Sequence, residues 1–467
     1  MTQSLTDMTN EATRFKNEGR YAEAIDIMRS MVDLEPNNVA VLHNLAAVLG
    51  DAGQYRESAD TLKRAFELGL NAPQSWLVYA RALSGIQKFE EAQQAFFTLL
   101  RVNPVDPDAH REFAQLIWMQ TGERDRALVH LNKAIEENPQ NPSLHLARAQ
   151  VYGQTGDTAT AYAILNEAAQ LSGDPYLYQM ACNAALEDHK FQEAVELGAF
   201  SASALPEDVG VLSTYAMALL ATDNAQSAVP IIEKLRQYAP VNQLYIALQA
   251  TAWRLLKDDR YDHLYDYDAF VGRYELDTPP GWSNLDSYLD DLTEGLDQAH
   301  RFKSHPFYQS VRKGSQISSI EGADNPAMRA FRQAANGPIH RHVEAFSTGD
   351  DPLRSRNIGG HRIFSSWSIS LPPQGHHVNH VHPEGWLSSA CHIRLADDGD
   401  DHDKAGWLKL GEPGIATSPV LTPERFIEPE RGVLVLFPSY MWHGTVEFYS
   451  GPPRLTVAVD IVPAASS

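Results

Sequence analysis

The feature that most constrains this chain is a period of about 34 residues running through its first half. Small residues recur in register at Ala24, Ser58, Ala92, Ala127, Ala161, Ala194 and Ala228, at steps of 33 to 35. Twelve residues after most of these marks comes a helix breaker, namely Pro36, Pro104, Pro139, Gly173, Pro206 and Pro240. Twenty-two residues after most of them sits a second small residue: Ala46, Ala80, Ala114, Ala149, Ala216 and Ala250. Two small positions per unit let paired helices approach closely. Tyr21, Tyr55, Phe89 or Phe191 fills the space beside them, and proline or glycine ends the second helix. A single pair cannot bury its own apolar face, so the units must stack. The spacing predicts an all-α solenoid of about seven units over residues 1–257.

This pattern resembles the tetratricopeptide repeat family over roughly residues 10–257. The resemblance implies a concave groove for a peptide or protein partner; a scaffold that only rigidifies or dimerises the chain is the alternative. Charge bears on the choice of partner. The 467 residues carry 38 Lys and Arg against 60 Asp and Glu, a balance of −22. Such an excess argues against a phosphate-reading surface and hence against nucleic acid, and an acidic groove would favour a basic peptide. The only cysteines, Cys182 and Cys391, lie far apart and have no metal-finger spacing, so no disulfide framework or structural zinc site is expected. No apolar run approaches membrane-spanning length, and the N-terminus lacks the apolar stretch of a signal peptide. The expectation is a cytoplasmic protein with no membrane partner and an oligomeric state left open.

Residues 258–284 are rich in Tyr and Asp and broken by Pro279-Pro280-Gly281. They read as a linker in which Tyr261, Tyr265 and Phe270 dock the last repeat helix onto the next domain. An acidic aromatic recognition surface is the alternative. From 285 to 467 the pattern changes. Residues 285–303 and 325–346 read as helices, and then the period falls to two. Short β-rich runs at 361–371, 387–395, 406–411, 432–438 and 454–463 are separated by Gly, Pro and Asp clusters, the pattern of an antiparallel sandwich or barrel.

Chemistry concentrates in HHVNHVH, with histidines at 376, 377, 380 and 382, and in FPSYMWHG, which ends near His443. If the first stretch is a strand, His380 and His382 project from one face and present two imidazoles to one ion. A third imidazole from His443 would complete a facial set with open positions, which suits non-haem Fe(II). Arg454 opens the last strand eleven residues after His443, and Thr456 shares its face. A guanidinium fork with a hydroxyl suits a distal carboxylate. His376 and His377 read as exposed or supporting groups. Cys391 and His392 are adjacent on a strand and point to opposite faces, which argues against a thiol nucleophile. Of the two tryptophans nearby, Trp367 is expected in the core and Trp386 along a substrate cleft.

The segments HPFYQSVRKGSQI, SWSISLPPQGHHVNHVHPEGWLSS and RGVLVLFPSYMWHGTVEFYSGPPRLTVAVDI together resemble a 2-oxoglutarate/Fe(II) oxygenase family often fused behind tetratricopeptide repeats. The resemblance covers about residues 280–463 and implies a double-stranded β-helix of jelly-roll or cupin-like form with flanking helices. It also implies Fe(II), 2-oxoglutarate and O2, and hydroxylation of a substrate that the repeats recruit. By position it places His380, His382 and His443 on the metal, with Glu384 as an alternative ligand, and Arg454, Thr456 and Ser388 at the cosubstrate. Where the family runs Ser-Gly and then two aromatic residues, this chain has Ser388-Ser389-Ala390-Cys391-His392, so a tyrosine contact to 2-oxoglutarate is missing. Two other readings remain at this point: an interaction scaffold with a degenerate barrel, and a three-histidine cupin-like dioxygenase that does not use 2-oxoglutarate.

Overall fold

The computed structural model describes residues 4–320, 325–395 and 404–465. The chain divides into two compact units, one formed by Met1–Ile117 with Asp125–Ala147, the other by Trp118–Arg124 with Arg148–Ser467.

In the first unit, helices Tyr21–Leu34, Val39–Asp51, Tyr55–Glu67, Pro73–Gly85 and Phe89–Val102 follow one another across connections of three to five residues (35–38, 52–54, 68–72 and 86–88). Connections this short make neighbouring helices antiparallel. Ala24, Ala46, Ala80, Ala92, Ala114 and Ala127 are all 1% exposed or less, so the recurring small residues are the points of closest helix approach. Ser58 stands where the other units carry alanine, and its hydroxyl donates to the Ala46 carbonyl at 2.7 Å, which satisfies a buried polar group locally. The Tyr55 ring packs so near Gly85 that a Cβ there would lie 2.4 Å from it, so the aromatic gap-filler requires the glycine. Asn38 caps the second of these helices by accepting from the Ala40 and Val41 amides.

The second unit repeats this construction in helices Thr158–Ser172, Pro175–Glu187, Phe191–Ala204, Val209–Leu220, Ala225–Tyr238 and Gln243–Leu256. Ala194, Ala216, Ala228 and Ala250 are fully buried. Gly173 ends its helix at φ 69°, a left-handed cap that favours glycine.

Among the described residues there are eleven strands: β1 (Gly272–Glu275), β2 (Val311–Arg312), β3 (Ser315–Ser318), β4 (Gly359–Leu371), β5 (His376–His377), β6 (Leu387–Arg394), β7 (Leu408–Leu410), β8 (Arg425–Ile427), β9 (Val433–Pro438), β10 (His443–Thr445) and β11 (Arg454–Ala465). They form a six-stranded sheet in the order β1-β9-β6-β11-β4-β3, a three-stranded sheet β10-β7-β8 and a two-stranded sheet β2-β5. Every strand pair is antiparallel. The architecture is a tetratricopeptide-like helical solenoid followed by an antiparallel β domain of the double-stranded β-helix class. Helices Leu285–Ala299 and Pro326–Ala345 flank the sheet, and Tyr288 on the first donates to the Ala327 carbonyl on the second.

One stretch behaves differently from its sequence pattern. Gly272–Glu275, inside the segment read as a linker, is an edge strand paired with β9. Its four residues, GRYE, are too few and too polar to show a period. Tyr261, Tyr265 and Phe270, just before it, are buried. The Tyr265 hydroxyl donates to the Tyr440 carbonyl and the Tyr440 hydroxyl to the Leu264 carbonyl, each at 2.9 Å. One continuous core runs from Leu212 in the helices to Ile461 in β11. The helix Gln243–Leu256 takes part through polar contacts as well. The amide of Gln243 donates to the Pro383 carbonyl at 2.9 Å, and the Thr251 hydroxyl accepts from the Trp442 indole at 3.0 Å.

Candidate metal centre

Three imidazoles converge at one end of the β domain. The ligand atoms of His380, His382 and His443 all lie within 4.8 Å of one another. The ring centroids of His380 and His443 are 4.1 Å apart, and each is 5.1 Å from that of His382. Backbone pairing sets this geometry. The His380 amide donates to the His443 carbonyl at 2.9 Å, and the His443 amide returns the bond to His380 at 3.0 Å. His380 and His382 lie in an extended segment, not in a strand; the bridge at His380 pairs it with His443, and the His382 amide donates to the Ser439 carbonyl at 3.2 Å. Gly444 allows the approach, because a Cβ there would sit 2.3 Å from the Asn379 side-chain oxygen.

Each ring is fixed from behind. His380 Nδ1 faces the Val378 carbonyl and His443 Nδ1 the Met441 carbonyl, both at 2.9 Å, and His382 Nδ1 meets Asp460 Oδ1 at 2.6 Å. A carbonyl only accepts, so Nδ1 of His380 and of His443 carries the proton and Nε2 keeps its lone pair. Burial, and then the charge of neighbouring histidines, pulls His380 down to about 3 and His443 well below its ordinary value. Both rings are therefore neutral near pH 7, the form in which imidazole ligates metal.

Two expected residues fall elsewhere. Glu384 is exposed in the turn after His382 and takes no part in the cluster. The turn closes through the Gly385 amide on the His382 carbonyl, which leaves the carboxylate on the outside. Ser388 is fully buried and bonds to Ser439 at 2.9 Å and to Asp460 at 3.1 Å, so it supports the His382 contact and does not line the cavity. Asp460 escaped the sequence reading. Its even spacing from Arg454 was the available signal, because 454, 456, 458 and 460 share one face of a strand.

The same three histidines line a narrow cavity of about 40 Å³ with Trp367, Ala390, His392, Arg454 and Thr456. Arg454 is 1% exposed, and its Nη1 donates to the Gly406 carbonyl. Burial, with no carboxylate of the described residues beside it, lowers Arg454 to about 10. His392 is also 1% exposed, and burial and the charge of Arg454 pull it down to about 3. The tryptophans exchange their expected places. Trp386 is fully buried and donates to the Leu353 carbonyl, whereas Trp367 lines the cavity with its ring 5.3 Å from that of His382. Cys391 faces away from His392 into the core, where burial raises its thiol, so no thiol–imidazole pair forms. His377 is partly buried beside the triad, its ring 5.9 Å from that of His380 and its Nδ1 2.9 Å from the Ser310 hydroxyl. With Thr445 it separates the narrow cavity from an outer cleft of about 760 Å³ that reaches Lys409, Glu412 and Phe426.

The helical repeats and the β domain with its three converging histidines each have a counterpart among known families. Residues 365–460 match the family described as "Putative 2OG-Fe(II) oxygenase", and residues 17–76 and 119–181 match the tetratricopeptide repeat family. The chain therefore carries a tetratricopeptide-repeat region and a 2OG-Fe(II) oxygenase-family domain. The Hsp70-Hsp90 organising protein of Plasmodium falciparum is 20% identical over 123 residues, 26% of this chain and 49% of that protein. Photosystem I assembly protein Ycf3 of Synechococcus sp. (strain WH7803) is 29% identical over 105 residues, 22% of this chain and 61% of that protein. The chain thus spans less than two thirds of the length of these relatives. Among solved structures, yeast Tom70 is 16% identical with a TM-score of 0.41, covering 54% of this chain and 55% of that one. A tetratricopeptide repeat protein from Parabacteroides merdae is 17% identical with a TM-score of 0.37, covering 53% and 98%.

Proposed function

We propose that this protein is an Fe(II)- and 2-oxoglutarate-dependent hydroxylase acting on a protein or peptide recruited by its repeats. The observation that carries this reading is the pairing, in one narrow cavity, of three imidazoles with a buried guanidinium that has no carboxylate partner among the described residues. A buried, uncompensated cation is costly, and an anion bound beside it removes the cost.

The donor set fits the metal. Imidazole suits Fe, Zn, Cu and Ni, and three ligands on one side of an ion leave positions open on the other. Three neutral ligands do not offset the charge of a divalent ion, and the Asp460 carboxylate behind His382 supplies part of that offset through the ring. Bound there, Fe(II) with 2-oxoglutarate and O2 supplies the oxidative decarboxylation to succinate and CO2 that is coupled to hydroxylation of a C–H bond. The chain's own residues do the rest. His380, His382 and His443 hold the ion, Arg454 holds the far carboxylate of the cosubstrate, and the apolar walls at Trp367, Ile369 and Ala458 keep water out. The outer cleft past His377 and Thr445 gives the substrate side chain its route. A protein partner is supported by the repeats and by a relative named as an organiser of two chaperones.

Anaerobic addition of Fe(II) and then 2-oxoglutarate tests the reading. A visible charge-transfer band requires the keto acid to chelate the iron, so no band in the native protein overturns it. Iron binding without a band would favour the cupin-like alternative, which the absence of a carboxylate in the triad keeps in view. Binding of neither would leave a scaffold. Capturing partners on the full chain and searching them for a mass gain of one oxygen identifies the substrate.

A further inference from the structure

Two nitrogens in the narrow cavity have no hydrogen-bond partner among the described residues: Nε2 of His392 and Nε of Arg454. Both side chains are at least nine-tenths buried, and both line the cavity that holds the triad. An unsatisfied buried polar atom is costly, so a native structure rarely leaves one without purpose, and here two belong to residues that line the same cavity. Arg454 Nε–H is always a donor. His392 offers a donor at Nε2 only in one neutral tautomer, and its neighbour can select that tautomer. Thr456 pairs with His392 across β6 and β11, and its hydroxyl lies 3.5 Å from His392 Nδ1. A hydroxyl donating to Nδ1 leaves the proton on Nε2, the nitrogen that has no partner among the described residues. His392 also stands in the stretch where the aromatic pair of related domains is missing.

We infer that His392 is the second donor to the far carboxylate of 2-oxoglutarate beside Arg454, and that Thr456 is a positioning residue that holds His392 in its Nε2–H tautomer. The assignment rests on the proposed function and departs from the sequence expectation in one respect: the hydroxyl of the Arg-Leu-Thr strand opening serves the histidine and not the cosubstrate. A neutral donor next to a guanidinium suits a carboxylate, because it adds a hydrogen bond without adding a second buried charge.

The test is an anaerobic titration of the full-length Fe(II) protein with 2-oxoglutarate and, separately, with 2-oxopentanoate, which has the same keto acid end and no far carboxylate. Chelation is read from the visible band, without turnover. His392→Phe keeps a ring of similar size and removes the donor. It should weaken 2-oxoglutarate binding roughly 10- to 100-fold and leave 2-oxopentanoate binding unchanged, while His392→Gln, which keeps an N–H at similar reach, should restore most of the loss. Thr456→Val should weaken 2-oxoglutarate binding by less, and should add nothing in the His392→Phe background. Unchanged 2-oxoglutarate affinity in His392→Phe overturns the assignment. So does an equal loss for both acids, which would make the ring a packing element. Additive effects of the two substitutions would overturn the role of Thr456. A wild-type protein that shows no band with either acid would instead fail the proposed function, and this assignment with it.

Discussion

The repeat helices and the β domain bury different things. In the first unit the buried side chains are mostly Ala, Leu and other apolar residues set at the recurring points of helix contact, and the buried Ser58 hydroxyl is satisfied by the Ala46 carbonyl. In the β domain, His342, Ser388, His392, His443, Arg454 and Asp460 are all 9% exposed or less. An apolar contact between small residues is replaceable by another of the same volume. A buried imidazole or guanidinium is not, because it costs stability wherever its partner is absent. The contrast separates a region kept for shape from a region kept for chemistry.

His443→Ala tests this contrast most severely. It should reduce iron affinity by more than ~100-fold, above the usual cost of losing an outer-shell partner, as read by titration of the apoprotein, while the repeat helices keep their far-ultraviolet signal. Arg454→Ala should weaken 2-oxoglutarate roughly 30- to 100-fold, the lower part of the range for truncating one side of a buried charge pair. Iron should stay bound. Ala92→Leu in the first unit does the reverse: overpacking should destabilise that unit by ~1–3 kcal/mol in denaturant unfolding, and iron affinity at low denaturant should not change. Iron loss in this variant would break the contrast. Asp460→Asn keeps an acceptor for His382 but removes the charge, and should cost iron affinity about tenfold.

The smallest expected effect is on pH. Burial lowers both His300 and His342 to about 4, from an ordinary 6.5. Between those values the unfolded chain binds protons that the folded one refuses, so stability is complete above about pH 6.5 and declines as pH falls toward 4. His342→Phe should flatten that decline in melting curves recorded between pH 7 and 5. A slope unchanged from the native protein would remove His342 as its source.

Much of the fold was legible because its signals are local. A 34-residue period needs no knowledge of distant partners, and the β runs near 361, 387, 432 and 454 emerge as β4, β6, β9 and β11. The triad was legible as well, since two of its members lie two apart in sequence and the third follows a buried strand. What stayed hidden depends on pairing across the sheet. Asp460 meets His382 across 78 residues, whereas Glu384, two residues from His382, is exposed in a turn outside the triad, so nearness along the chain does not decide which carboxylate meets the ring. Trp367 and Trp386 changed places for the same reason, because which of them meets the cavity depends on how β4 and β6 flank β11.

The helix Gln243–Leu256 grips both ligand-bearing segments, at Pro383 beside His382 and at Trp442 beside His443. Trimming the gene near residue 258 to express the β domain alone would remove a helix that holds both of these segments in place. The last repeat helix is thus structurally a part of the β domain, although it is encoded with the repeats. Recombination that exchanged the repeats for others would have to carry this helix along with the β domain, and a transplant that left it behind should yield an apoprotein.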